Sequence, residues 1–281
     1  MQACSQWSRS AYNVIAKKCV NLSDCINLVI MASISNNEIK RVKSLQQKKF
    51  RDETGLFIVE GEKMVEEACA SGFSIENVYR RDEIGQEAMS RISALASPSP
   101  ALAVVHKPSD VYLTDAAQLK SLLSQGGLFL GLDTIRDPGN LGTILRIADW
   151  FGVDAVFAAR DTVDVFNPKV VQATMGAIFR VKLHYVDLPE VSGMILDAGG
   201  KVYGTFLDGE DMYCRDLETG QSSAVMIVIG NESEGISDTM AGLVSDRLYI
   251  PPYPAHSPGS ESLNAAIATA LTVAEFRRRT I

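Results

Sequence analysis

Apolar and polar positions alternate in two different rhythms along the chain. In the front third, residues 56–59 of "TGLFIVEGEKMVEEACASG" form a short apolar run that suits a strand. Residues 63–70 suit a helix, and Ser71-Gly72 ends it. "IENVYRR" predicts a second strand. Residues 92–96 close a helix before the turn-rich "SPSP", and "ALAVVHK" predicts a third strand. Residues 38–50 are basic and read as helical. Together these predict a small α/β unit over 32–107, followed by a polar helical connector over 108–122.

From 123 to 281 the pattern changes. Strand-like runs at 128–133, 153–159, 179–186, 201–207, 224–230 and 247–250 mostly alternate with helical segments. That rhythm predicts an α/β fold, a mostly parallel sheet with helices on both faces. "AVMIVI" carries no polar residue, as expected of a parallel strand buried on both faces. One helix is predicted from about Leu141, with Leu141, Ile144, Leu145 and Ala148 inward, Asn140 as N-cap and Arg146 one position off the apolar stripe. The last element, 262–279, is predicted to bury Leu263, Ile267, Ala270, Leu271 and Ala274, with its basic end leaving the core.

Composition narrows the classes. The 281 residues are 46% hydrophobic and 22% charged, ordinary for a globular protein, and no apolar run reaches the roughly 18 residues a membrane span needs. The net charge of −7 argues against nucleic acid, which is bound through Lys and Arg. The average hides a basic cluster, Lys40, Arg41, Lys43, Lys48, Lys49 and Arg51, and the terminal Arg277, Arg278 and Arg279. Either run can be a solvated face or a nucleic-acid contact. Five cysteines without a Cys-x-x-Cys pair, and three scattered histidines, offer no metal spacing and fit a reducing compartment, the cytoplasm. Residues 1–31 lack an apolar period. They read as an unstructured or mis-assigned extension with Met31 as the natural start, or faintly as a transit peptide.

In a parallel α/β sheet ligands bind beyond the carboxyl ends of the strands, so the loops there are the places to search. No Gly-x-Gly-x-x-Gly follows a strand, no Gly-Lys-Ser/Thr occurs, and "GNESEG" lacks the Gly-x-Ser-x-Gly spacing of a hydrolase elbow. Pro251-Pro252-Tyr253 resembles an amino-methylation site, but Ile250 stands where an Asp or Asn would hold the amine. Three loops remain: Asp137-Pro138-Gly139-Asn140 with Arg146 on the helix after it, Gly230 to Gly235, and Glu261-Ser262-Leu263-Asn264. Singly they read as a turn and cap, a tight turn, and a helix N-terminus.

Taken in order, they resemble the three motifs of the SpoU (TrmH-like) family of RNA ribose 2′-O-methyltransferases, in the SPOUT superfamily. Asn-x-Gly-x-x-x-Arg stands as Asn140 to Arg146, Gly-x-Glu-x-x-Gly as Gly230 to Gly235, and Ile-Pro with Ser-Leu-Asn as Ile250-Pro251 and Ser262-Leu263-Asn264. "NPKVVQATMGAIFRV" resembles the family's segment between motifs. The likeness covers about 125–281. The front unit resembles, more loosely, an L30e-like RNA-binding domain. The link from Pro251 to Ser262 is longer than usual in the family, and the net charge is acidic for an RNA enzyme.

The resemblance implies a C-terminal trefoil knot that periodicity could not suggest. It implies S-adenosylmethionine (AdoMet) held largely by backbone groups, at Thr205, Leu207, Gly230, Asn231, Ile250, Pro251 and Leu263. It implies catalysis without metal by Arg146, with Asn140, Glu232, Ser262 and Asn264 positioning it and the ribose. It also implies a homodimer with active sites near the interface and the last helix as a candidate contact. The basic residues Lys40, Arg41, Lys43, Lys48, Lys49 and Arg51, and the terminal arginines, then become expected RNA contacts. Ribosomal RNA is preferred because an L30e-like front domain is common among members acting there. Transfer RNA, and a non-catalytic RNA-binding or assembly factor, remain alternatives.

Overall fold

The computed structural model describes residues 34–112, 115–254 and 262–280. The expected extension at 1–31, and residues 255–261 of the proline-rich link, lie outside them.

In the front unit, β1 (Leu56–Glu60), β2 (Ile75–Arg80) and β3 (Ala101–His106) form an antiparallel sheet in the order β1-β3-β2. Period-two alternation splits β1 between two cores. Leu56 and Ile58 pack with Ile39, Val42, Met89 and Ile92 of the covering helices. Phe57 and Val59 belong to a core shared with the second unit. Burial on both faces is why β1 reads as a continuous apolar run.

The basic segment expected as one helix over 38–50 is two helices, Asn36–Ser44 and Lys48–Thr54. The cause is Arg51. Its Nη1 donates to the carbonyls of Leu45 (3.0 Å) and Gln46 (2.9 Å), satisfying backbone acceptors at the break. Its Nε and Nη2 donate to Asp164 Oδ2 at 3.0 and 2.6 Å. Arg51 is 2% exposed, so its expected place on an RNA-facing surface is corrected. It ties the front unit to the loop after the second strand of the larger sheet.

That sheet contains β4 (Gly127–Leu132), β5 (Ala155–Ala159), β6 (Leu183–Val186), β7 (Lys201–Asp211), β8 (Ala224–Ile229) and β9 (Asp246–Tyr249). Its order is β6-β5-β4-β8-β7-β9 and every pairing is parallel. The all-apolar β8 is buried throughout. Val225, Ile227 and Ile229 pack in one core with Leu141, Ile144 and Leu145 of the helix Pro138–Trp150, and with Val273 and Phe276 of the helix Ala265–Arg278. Ala224, Met226 and Val228 pack in the other with Leu188, Val191 and Ile195.

Three expectations shift. The run 179–186 becomes strand only at Leu183. Residues Ala177–Phe179 form a 3-10 turn, and the Phe179 ring stands edge-on to Phe73 of the front unit, 5.2 Å away. The connector is helical only over Ala116–Leu123, capped by Asp115, whose side chain accepts from Ala117 N–H. Upstream, Tyr112 bridges to Tyr185 and Val111 is buried.

The last helix is turned relative to its predicted face. Ala265, Ala266, Thr269, Thr272, Val273 and Phe276 are buried, whereas Leu263, Ile267 and Leu271 are 48%, 51% and 39% exposed. Small residues on the inner face suit close contact with the helix Pro138–Trp150. The two threonine hydroxyls bond back to the carbonyls of Ala265 and Ala268, so burying them leaves no open donor. Of its arginines Arg278 stays exposed, while the other two fold back onto the protein. Arg277 donates to the carbonyls of Phe151 and Gly152, and Arg279 to those of Met212, Tyr213 and Arg215.

Candidate active site

The loop after β4 ends in Asp137, not Asn140, as helix N-cap. Asp137 Oδ1 accepts from Asn140 N–H at 2.8 Å and Pro138 takes the first helical position. This corrects the expected cap. It also frees the Asn140 side chain, which sits buried in the first turn. Asp followed by Pro is a start signal that could have placed the cap from sequence. Gly142 has a second role. A Cβ there would overlap the Ala173 side chain and crowd Val170 O, so glycine lets the helix Pro168–Thr174 lie against this one.

The loop after β8 is a tight turn. The N–H groups of Asn231 and Gly235 donate to each other's carbonyls at 2.8 and 3.0 Å, with Gly235 at φ +72°. Gly230 packs directly on the Gly235–Ile236 backbone, where no Cβ fits. Asn231 Oδ1 accepts from Ser233 and Glu234 N–H, and Nδ2 donates to Thr134 O. Asn231, expected at the cofactor, has both side-chain polar atoms engaged in shaping this turn.

The third element is Asn264, N-cap of the last helix. Its Oδ1 accepts from Ala266 and Ile267 N–H at 3.0 and 3.3 Å. With its oxygen so engaged, its Nδ2 donates to Asn140 Oδ1 at 2.8 Å. Asn140 must then present Nδ2 elsewhere, and it donates to Glu232 Oε1 at 2.7 Å. The amide orientations are fixed by this chain of donors. The three loops picked out in the sequence thus meet through Asn264, Asn140 and Glu232.

Ser262 is exposed beside Asn264 and makes no side-chain hydrogen bond among the described residues. Arg146 does not join the cluster. Six residues along a helix place it about 9 Å further on and about 120° round from Asn140. It is exposed, with no ion-pair partner among the described residues. One turn beyond, Trp150 is 85% exposed.

The expected cofactor positions lie at the ends of β7, β8 and β9. Thr205 and Glu210 of β7 both register against Leu248, so residues 206–209 bulge out of the ladder and leave it locally unpaired. Leu207, in that bulge, is 68% exposed. Ile250 packs at the edge of the main core and Pro251 follows it. Arg247 stacks over the Phe206 ring at 3.6 Å, bracing the bulge from β9. Tyr253, of Pro251-Pro252-Tyr253, is 99% exposed. The described residues contain no cluster of His, Cys, Asp or Glu placed to hold a metal ion, and no helix long and apolar enough to cross a membrane.

Among the basic residues, Lys40 and Lys43 are exposed with no ion-pair partner among the described residues. Lys48 pairs with Asp52 at 2.6 Å and Lys49 approaches Glu53 at 3.9 Å. Arg41 is held by Glu38 and Glu76 at 2.7 and 2.6 Å, and the hydrogen bonds it donates to Glu38 are the main cause raising its pKa further above the ordinary arginine range.

The model of the SpoU rRNA Methylase family matches residues 127–274. The chain belongs to the SpoU methylase family. A second model, the MRM3-like substrate binding domain, matches residues 36–113. The 23S rRNA (guanosine(2553)-2′-O)-methyltransferase RlmP of Bacillus subtilis is 32% identical, the alignment covering 87% of this chain and 98% of that protein. The mitochondrial rRNA methyltransferase 3A of Danio rerio is 28% identical over 88% of this chain and 70% of its own. The crystal structure of an AdoMet-bound rRNA methyltransferase from Sinorhizobium meliloti superposes with TM-score 0.76 at 28% identity, covering 89% of this chain and 97% of that one. Within this SpoU chain the family match spans all three loops that converge on Asn140.

Proposed function

We propose that the chain is an AdoMet-dependent methyltransferase acting on a ribose 2′-hydroxyl of ribosomal RNA. The observation that carries this is the convergence of the three loops through Asn264, Asn140 and Glu232. RlmP and the mitochondrial enzyme, both named for rRNA methylation, support the substrate class.

The residues present suit AdoMet. The β7 bulge leaves the ladder unpaired at 206–209 beside exposed Leu207 and half-buried Thr205. Gly230 lets the turn after β8 close tightly on Gly235 and Ile236, Ile250 and Pro251 offer an apolar wall, and Leu263 is accessible. When bound, the cofactor supplies a methyl group on a sulfonium sulfur. This chain's task is then to place a hydroxyl in line and to manage its proton. Asn140, Glu232 and Asn264 form the fixed polar floor, and Ser262 offers a hydroxyl at its rim. Arg146 acts by charge. A guanidinium resists deprotonation, so it holds a substrate phosphate and stabilises the developing alkoxide, and the proton leaves to the phosphate.

Because Arg146 is exposed and makes no bond to the Asn140 cluster, a homodimer is part of the proposal. The last helix runs parallel to Pro138–Trp150, joined at its start by Asn264 to Asn140 and at its end by Arg277 to Phe151. Exposed Leu263, Ile267, Leu271 and Trp150 give this pair of helices an uncovered apolar surface. A two-fold contact there presents Arg146 of one copy to the other copy's site.

The proposed trefoil knot is supported by the path of the chain. Strand β9 lies at the sheet edge beyond β7, yet Asn264 bonds to Asn140 in the helix after β4, on the far side of β8 and β7 in the strand order. Residues 32–107 are proposed as the L30e-like RNA-binding unit, with Lys40, Lys43 and Lys49 as its phosphate contacts, 108–122 as linker and 123–281 as the catalytic unit. Nucleoside mass spectrometry of a strain lacking the protein tests the function. One missing 2′-O-methyl mark in rRNA supports it, and retention of every such mark rejects it.

A further inference from the structure

Thr134 lies in the loop after β4 with φ +63°, in the left-handed region. A β-branched residue there is a genuine outlier, and such strain persists only where the surroundings hold it. The surroundings are specific. Thr134 Oγ1 donates to Asp161 Oδ2 at 3.0 Å. Its carbonyl accepts from Asn231 Nδ2 at 2.8 Å. Asn231, 8% exposed, uses its Oδ1 to bind the N–H groups of Ser233 at 2.8 Å and Glu234 at 3.1 Å. Beside it, Asp133 Oδ2 accepts from Ser237 N–H at 2.7 Å, pinning the far side of the same turn.

We infer that Thr134 is a positioning residue. Its left-handed backbone aims a carbonyl at the Asn231 amide, and that bond sets the acidic turn so that Glu232 meets Asn140. The strain is local to the segment that must be oriented. The hydroxyl bond to Asp161 holds Thr134 in a conformation that glycine would adopt without cost. The activity arm of the test rests on the methyltransferase reading. The structural arm does not.

Substitution separates backbone positioning from space filling. Thr134→Val keeps the volume and branching but loses the bond to Asp161. Thr134→Gly loses the side chain and keeps the backbone conformation, and Thr134→Asn also tolerates it. The structural arm reads hydrogen exchange of the Asn231 side-chain amide by nitrogen-15 NMR, assigned by its disappearance in Asn231→Asp. Gly and Asn variants are expected to protect this amide as the wild type does, while Val exchanges about tenfold faster. The activity arm expects kcat within about twofold of wild type for Gly and Asn. For Val, kcat falls about tenfold with KM for RNA nearly unchanged. If Val protects the amide and turns over as well as, or better than, Gly, Thr134 merely fills space and the inference is wrong. If the wild type transfers no methyl group, the methyltransferase reading fails while the order of amide protection still decides this one.

Discussion

Asn140 Nδ2 donates to Glu232 Oε1 across 2.7 Å, joining residues 92 positions apart in the chain. The bond is forced. Asn264 uses its oxygen to cap the last helix, so its nitrogen must meet the Asn140 oxygen, and only the Asn140 nitrogen remains for Glu232. Asn140→Asp keeps the size, removes that donor and sets a carboxylate against Glu232. The methylation rate in single turnover is expected to fall roughly 100-fold, the scale of a misplaced reacting group, while circular dichroism stays native. An unchanged rate would remove Asn140 from the site.

The basic cluster divides into a buried strut and an exposed face. Arg51→Ala strands Asp164, itself 8% exposed, and should cost about 3–5 kcal/mol in urea unfolding, as breaking a buried pair does. It should leave the salt dependence of RNA binding unchanged. Lys43→Ala should do the reverse: little effect on unfolding, and a slope of log affinity against log salt reduced by about 1.

Gly142 is a packing residue. Gly142→Ala drives a methyl into Ala173 and should destabilise the protein by about 1–3 kcal/mol. Adding Ala173→Gly should recover part of that loss in a double-mutant cycle. Purely additive losses would mean the two helices do not meet as described.

Glu275 is buried between Arg278 and Arg279, and the hydrogen bond from Arg278, ahead of that from Arg279, pulls its pKa down to about 2 from an ordinary 4.5. A carboxylate with a depressed folded pKa contributes stability that is full above its unfolded pKa and is lost as pH falls through the folded one. Wild type should therefore melt higher than Glu275→Gln at pH 6, and the gap should close between pH 4.5 and 2. A gap that does not change over that window would show that folding does not lower the pKa of Glu275.

Much of the catalytic unit was legible because its signals are periodic. The all-apolar "AVMIVI" could only be a strand buried on both faces, and Leu141, Ile144, Leu145 and Ala148 could only face a core. The three loops were found because their polar residues follow strands. The inner face of the last helix is not legible from its branched apolar residues, since Leu263, Ile267 and Leu271 are all partly exposed. Ala265, Ala266, Thr269 and Thr272 make most of the inner face small, with Val273 and Phe276 buried further along it, and Leu263, Ile267 and Leu271 stay outside. The burial of Arg51 is not legible in its charge run, which looks solvated, and nothing local announces an Asp 113 residues away. Thr134 left no trace at all, since a strained φ has no residue signature when a threonine carries it.

The most direct test of the central claim uses the purified chain with methyl-labelled AdoMet and unmodified ribosomal RNA, followed by nucleoside mass spectrometry, for wild type and Arg146→Ala. The account predicts one labelled 2′-O-methyl nucleoside from wild type, none from Arg146→Ala, and equal AdoMet binding by calorimetry. Label on a base, no label with wild type, or full turnover by Arg146→Ala would contradict it.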